Sequence, residues 1–354
     1  MIAGRRKRLW EAMDDAGLDA LVLGRPANVA YASGATALWT AGSRPFAPSC
    51  VIVGDDIHLL STWDEGIPDD IPHDHLFGLS WNPAVVAADV AAIPGLADAH
   101  RIGTDGTSAG FRRIAERAAP GAELVDARSV LDRTRAVKTA AELSAVRRAC
   151  CRAGEALDLL RAALTSGTSE RDLLSTLAAA TAEVGATVIT DEVVARRTAS
   201  GLHHVVTDVP ARRGELVALS PTLRVDGYDG TVARTVVVDA EPGEAAAALR
   251  ARCRAALDEV IARCRPGATG RDLLDTWAGA GGGDLGVPLA HGLGIGAEWP
   301  LIGLGVGGAD RLDAGMVLAV QGWMHAPEAG GWLERDVVHV TDDGPRTLTR
   351  EGSA

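Results

Sequence analysis

Apolar residues in the first 135 or so positions come in short runs closed by turn residues, whereas from about residue 188 they alternate with polar ones over longer stretches. Ala20 to Leu23 is a run of this first kind, ended by Gly24-Arg25-Pro26, and it reads as a strand followed by a turn. Cys50 to Val53 and Ile57 to Leu60 flank Gly54-Asp55-Asp56, turn chemistry that predicts a hairpin. Before them, Arg5 to Arg8 opens a helix-like stretch carrying Leu9, Trp10, Met13, Leu18 and Leu21. Pro83 to Ile93, rich in alanine and valine, and Gly110 to Ala118 predict helices between further short strands. The first half is therefore expected to be a mixed α/β domain.

The polar stretch Arg133 to Lys138 marks a boundary near residue 135, which gives expected domains of 1–135 and 136–354. Leu143, Val146, Ala149, Ala153, Leu157 and Leu160 then recur at helical spacing up to Leu164. A second helix is expected over Glu170 to Val184, capped by Thr168-Ser169. Beyond residue 188 the period falls to two, in Glu215 to Leu219, Thr231 to Val238, Met316 to Val320 and Asp336 to Val340. A helix-like insert, Glu241 to Cys264, separates these strands. The second half reads as α+β around a long antiparallel sheet, with no repeat of solenoid length.

A chain of 354 residues fits two domains, and 47% apolar with 23% charged residues is enough for full cores. A net charge of -12 and a pI near 5.2 argue against nucleic acid or an anionic membrane as partner, since both would be repelled. No stretch approaches the roughly 20 apolar residues of a membrane span, nor is there an apolar run fit for a signal peptide, so a cytoplasmic protein is expected. The five cysteines form no C-x-x-C pair and their odd number does not suit a closed disulfide framework. Cys151 stands in an alanine-rich helical stretch without a nearby histidine, which leaves it a weak candidate nucleophile.

The second half carries, in order, Ser200-Gly201, the pair His203-His204, Arg213-Gly214-Glu215, Gly227-Tyr228 with Arg234-Thr235, His291-Gly292-Leu293-Gly294, Gly315-Met316-Val317 and Glu334. That order and spacing resemble the pita-bread family of creatinase, aminopeptidase P and prolidase. The first half agrees, because Asn28-Val29-Ala30-Tyr31-Ala32-Ser33-Gly34 resembles the N-terminal domain of creatinase and prolidase-like members. The resemblance implies a creatinase-like N-terminal domain followed by a pita-bread domain with a curved antiparallel sheet, working as a homodimer.

Peptidases of that family hold two divalent ions with two aspartates, one histidine and two glutamates. Matched one at a time, the first aspartate position is Ser220, the second is Thr231, the histidine is His291, the first glutamate position is Gln321 and the last glutamate is Glu334. The arginine usual two places before that glutamate is Trp332, and the further histidine of the peptidases is replaced within Ala297-Glu298-Trp299-Pro300. Neutral Ser, Thr and Gln oxygens are poor ligands for two close divalent ions. The expectation is that no metal or other cofactor is held.

Creatinase is the branch that hydrolyses a C–N bond without metal, and the resemblance puts its proton-transferring histidine on His203, or by a one-residue slip on His204. A pKa near 6.5 suits a histidine to that role. Glu334, in Gly330-Gly331-Trp332-Leu333-Glu334-Arg335-Asp336, matches a creatinase glutamate, while the other creatinase glutamate falls on Ala233. Creatine itself is then unexpected, since a guanidinium prefers carboxylates on both sides. Arg44 lies where creatinase clamps a substrate carboxylate across its dimer.

Asp226 and Asp229 flank Tyr228, and period-two spacing places Asp229, Thr231 and Ala233 on one strand face. Trp299, Trp323 and Trp332 stand beside the altered positions and suggest an apolar enclosed pocket. The expected site is thus catalytic His203, Glu334 and His291, with Arg44, Gln321, Trp323, Trp332, Glu298, Tyr228 and Asp229 around a small-molecule substrate. Hydrolysis of a C–N bond in a small carboxylate-bearing nitrogen compound is the first reading. A non-catalytic binding protein and a metal-free lyase or isomerase are the alternatives.

Overall fold

The computed structural model describes residues 1–36, 49–61, 63–78, 82–106, 108–183, 185–188, 195–198, 205–283 and 286–349. Two compact units result, Met1–Arg135 and Ala136–Ala354. No helix among the described residues is long and apolar enough to cross a membrane.

The first unit holds strands β1 (Ala20–Leu23), β2 (Cys50–Val53), β3 (Asp56–Leu60), β4 (Leu76–Phe77), β5 (Arg101–Thr104) and β6 (Glu123–Asp126) in a mixed sheet ordered β4-β3-β2-β1-β5-β6. Its helices are α1 (Ile2–Asp15), α2 (Pro26–Ser33), α3 (Pro83–Ala91), α4 (Ala109–Ala118) and α5 (Arg128–Ala136). Strand β1 is apolar without alternation because both of its faces are covered. Ala20 and Val22 pack with Val86, Val90 and Ile114, whereas Leu21 and Leu23 pack with Leu9, Met13 and Val29. Val53 pairs with Asp56 across a two-residue turn whose Gly54 takes a φ of 57°, a conformation glycine adopts without strain.

The second unit opens with α6 (Ala140–Ala163) and α7 (Glu170–Glu183). A capping box starts α6: Thr139 Oγ1 accepts the Glu142 N–H at 3.2 Å, and the Glu142 carboxylate accepts the Thr139 N–H at 2.9 Å. Strands β7 (Thr187–Val188), β8 (Ala195–Arg197), β9 (Leu216–Leu219), β10 (Thr222–Val225), β11 (Tyr228–Thr231) and β12 (Ala233–Val237) follow. Then come α8 (Glu244–Arg263), α9 (Gly270–Gly279), β13 (Ala290–Gly294), β14 (Gly296–Ile302), β15 (Val317–Ala326), β16 (Gly330–Thr341) and β17 (Gly344–Thr347). One sheet runs β14-β13-β15-β16-β12-β9-β8, with β17 on β16, and a small sheet runs β11-β10-β7.

Side chains alternate across the large sheet, so each strand contributes to two faces. On one face, Leu318, Val320, Met324, Trp332, Val338 and Val340 bury against Cys253, Leu257 and Val260 of α8 and Leu273 and Trp277 of α9. Val217 and Leu219 of β9 pack with Leu157, Leu160, Leu173 and Leu177 of α6 and α7 on that same side. We call this the helix face. The opposite face holds the altered ligand positions, and we call it the site face.

Two sequence expectations change here. Thr231 to Val238 is not one strand: the chain passes between sheets at Val232, whose N–H donates to Pro221 at 3.3 Å, leaving β11 in the small sheet and β12 in the large one. Strands β15 and β16 also extend well past the apolar cores that predicted them, because polar residues such as Gln321 and Arg335 interrupt the pattern without interrupting the pairing.

Candidate functional site

Strand register decides which side chains share the site face. In the antiparallel β15–β16 pair, Gln321 lies directly opposite Arg335 and Trp323 opposite Leu333, while Gly322 lies opposite Glu334. Ala233 of β12 also pairs with Arg335, and His291 of β13 pairs with Ala319, two residues from Gln321. Directly paired residues point to the same side. The site face therefore carries Arg335, Gln321, His291, Ala233, Trp323 and Leu333, and it excludes Glu334.

Arg335 is the residue that sequence reasoning missed. Its side chain is buried, with Nε and Nη2 donating to Gln321 Oε1 at 3.1 and 2.8 Å and Nη1 donating to Thr231 Oγ1 at 2.9 Å. Gln321 is fixed from its other end, where Nε2 donates to the Pro288 carbonyl at 2.7 Å. Thr231 Oγ1 also meets Thr222 Oγ1 at 2.8 Å, which follows from their direct pairing in the small sheet. A guanidinium thus bridges two positions at which the resemblance expects metal-binding carboxylates. Ser220, the remaining altered position, is buried as well.

Glu334 is corrected accordingly. Its carboxylate accepts the Trp332 indole N–H at 2.9 Å and lies 3.3 Å from Arg254 and 3.4 Å from Arg234, all on the helix face. The signal was available: Glu334 has the parity of Asp336, Val338 and Val340, and the latter two belong to the core under α8. Asp336, fully buried, accepts from Arg234 Nη2 at 2.6 Å and Arg254 Nη1 at 2.8 Å. Cys253 beside this network has its thiol pushed up to about 12, first by burial and then by the Glu334 charge.

The other expected residues separate. Tyr228 points to α6, where its hydroxyl donates to Glu142 Oε1 at 3.0 Å, so it is not a cleft residue. Asp229 is buried and takes a bidentate pair of bonds from Arg224, its cross-strand partner, at 2.7 and 3.1 Å. Glu298 is locked in a buried ion pair with Lys138 and also accepts the Ile295 N–H at 2.9 Å. Of the three tryptophans, Trp332 is buried in the helix-face core, Trp299 and Trp323 both pack against that core, and Trp323 also meets Ala218, Ala233 and Leu333. Gly331 makes room for it, because a Cβ there would come within 1.8 Å of the Trp323 ring.

His291 is half-buried, with Nδ1 2.9 Å from the Gly292 carbonyl oxygen. Two acceptors do not bond each other, so Nδ1 carries the proton and Nε2 is the basic nitrogen of the neutral ring. Arg44, His203 and His204 lie outside the described residues, as does Ser200-Gly201.

The residues do not fit a dinuclear metal centre. Ser220, Thr231, Gln321 and Arg335 with His291 offer neutral oxygens, one imidazole and a cation, whereas hard divalent ions require carboxylates. Among the described residues no three His, Cys, Asp or Glu side chains are grouped to hold an ion.

Comparison with known proteins agrees with the two-part architecture. Residues 144–342 match metallopeptidase family M24, and residues 5–137 match the creatinase/prolidase N-terminal domain. The Xaa-Pro dipeptidase of Pyrococcus furiosus is 26% identical over 98% of this chain and 97% of its own. An uncharacterized peptidase of Bacillus subtilis is 30% identical over 64% of this chain and 66% of its own. Among solved structures, the prolidase of Pyrococcus horikoshii superposes with a TM-score of 0.81 at 22% identity, covering 98% of both chains. A matched family model over more than half the length settles descent: the chain belongs to metallopeptidase family M24, with a creatinase-type N-terminal domain ahead of the peptidase fold.

Proposed function

We propose that this M24 member is a metal-independent hydrolase of a C–N bond in a small carboxylate-bearing nitrogen compound. The Xaa-Pro dipeptidases among its relatives supply the reaction class, by their names. The observation that carries the rest is Arg335, whose guanidinium bridges Gln321 and Thr231 where the family's metal ligands would stand.

Hydrolysis needs a base to activate water, a proton for the departing nitrogen, and positive charge near the oxygen that becomes negative. Arg335 supplies fixed positive charge on the site face without an ion. His291 offers Nε2 as the base, its tautomer set by the Gly292 carbonyl. The resemblance to creatinase assigns His203 the same proton transfer and Arg44 a clamp on the substrate carboxylate across a homodimer. Trp323 and Leu333 give the face an apolar wall that suits a small substrate.

The test is turnover by EDTA-treated protein of Xaa-Pro dipeptides, N-acyl amino acids and guanidino acids, followed as amine release. Turnover should persist in chelator and fall at least about a hundredfold in His291→Ala or His203→Ala. Activity that appears only with added Mn²⁺ or Zn²⁺ overturns the proposal. One observation favours a second reading, a ligand-binding protein without catalysis: Asp229, Glu298 and Glu334 are each held by a cation, which leaves none of them free to act as an acid or base. Saturable binding of such a compound with no amine released would select it.

A further inference from the structure

On the helix face, away from Arg335, a cavity of about 300 Å³ opens between β12 and the start of α8. Its lining includes Arg161, Arg234, Arg250, Pro242, Trp332 and Glu334. Three arginines thus line a cavity with a single carboxylate, and that carboxylate is already engaged by Arg234 at 3.4 Å, by Arg254 at 3.3 Å and by the Trp332 N–H at 2.9 Å, which leaves Arg161 and Arg250 as the cations it does not hold. Arg250 is exposed and sits 6.0 Å over the Trp332 ring, so the aromatic face aims its guanidinium without neutralising it. Arg161 is exposed and held only loosely, by Asp158 at 3.4 Å. Arg234 forms the floor, anchored to Asp336 at 2.6 Å.

We propose that this pocket binds a phosphate dianion, either free or as a small phosphomonoester. Planar guanidinium forks match phosphate oxygens two at a time, and several of them together favour a dianion over a monocarboxylate. The volume exceeds that of a bare phosphate and leaves room for a short ester group beside Trp332 and Pro242.

The experiment is calorimetric titration of the full chain with inorganic phosphate, glycerol 3-phosphate and acetate at matched ionic strength in chloride. Either phosphate should bind at least about tenfold tighter than acetate, and the tighter of the two identifies the free or esterified form. Arg161→Ala and Arg250→Ala alter exposed side chains and should leave folding intact. Each should weaken phosphate binding by about tenfold, the loss of a charged hydrogen-bond donor. Phosphate binding no tighter than acetate, or binding unchanged in both variants, overturns the proposal.

Discussion

Glu334 and Arg335 are neighbours on β16, yet the sheet turns them into different chemistry. On the helix face, Glu334 and Asp336 meet Arg234 and Arg254 beneath α8, so buried acids and bases answer one another. On the site face, Arg335 is held by the neutral oxygens of Gln321 and Thr231. The helix-face network is strong only as a set, because deleting one member strands the charges it paired with. The hydrogen bonds from Arg335 to Gln321 and Thr231 go to neutral oxygens and fix where the guanidinium stands on the site face.

The sharpest way to break that comparison is to rebuild a metal site. Ser220→Asp, Thr231→Asp, Gln321→Glu and Arg335→Glu together restore four carboxylates around His291. Since even an outer partner of a metal ligand is worth roughly 10–100-fold in affinity, calorimetry should show Mn²⁺ binding at least about a hundredfold tighter than in the parent. The same variant with Arg335 retained should not gain it. If that triple variant binds as well as the quadruple one, Glu334 is supplying a ligand and the assignment of faces fails.

Next in size is the helix face itself. Asp336→Ala removes a fully buried carboxylate and leaves Arg234 and Arg254 short of a partner. A loss of about 3–5 kcal/mol follows, or roughly 10 °C in thermal unfolding. A shift under 2 °C would show that the network does not hold β16 to α8.

Much of this molecule was legible from its sequence. The run Ala20 to Leu23 marked β1 at the observed residues, and Thr168-Ser169 marked the start of α7, because local turn and cap chemistry speaks in adjacent residues. What stands at the metal-ligand positions, Ser220, Thr231 and Gln321, was readable only through the family resemblance. Arg335 was not, since matching Glu334 by residue type overlooked a one-residue difference that reverses the side chain. Partners such as Lys138 for Glu298 and Arg224 for Asp229 escaped because pairing depends on register or on contacts 160 positions apart, which spacing does not encode.

Arg335→Met gives a smaller effect than Asp336→Ala if the faces differ as argued. It removes hydrogen bonds to Gln321 Oε1 and Thr231 Oγ1 and leaves those acceptors buried, at a cost of roughly 1–2 kcal/mol in denaturant unfolding. A cost equal to that of Asp336→Ala would mean that Arg335 too is a member of a charge network, and the contrast would fall.

Thiol labelling resolves the comparison at its finest. Cys50, Cys150, Cys253 and Cys264 are buried, and burial pushes Cys150, Cys253 and Cys264 up to about 12, so only the exposed Cys151 should react in the native protein. Cys253 sits against β15 and β16, its Sγ donating to the Gly322 and Trp332 carbonyls at 3.6 Å, next to the Glu334–Arg254 contact. Loosening that network in Asp336→Ala should speed Cys253 labelling by several-fold through local opening, while Cys150 on α6 keeps its protection. Equal acceleration of both thiols would show that the substitution loosens the whole unit, and that the helix face has no local stability of its own to contrast with the face bearing Arg335.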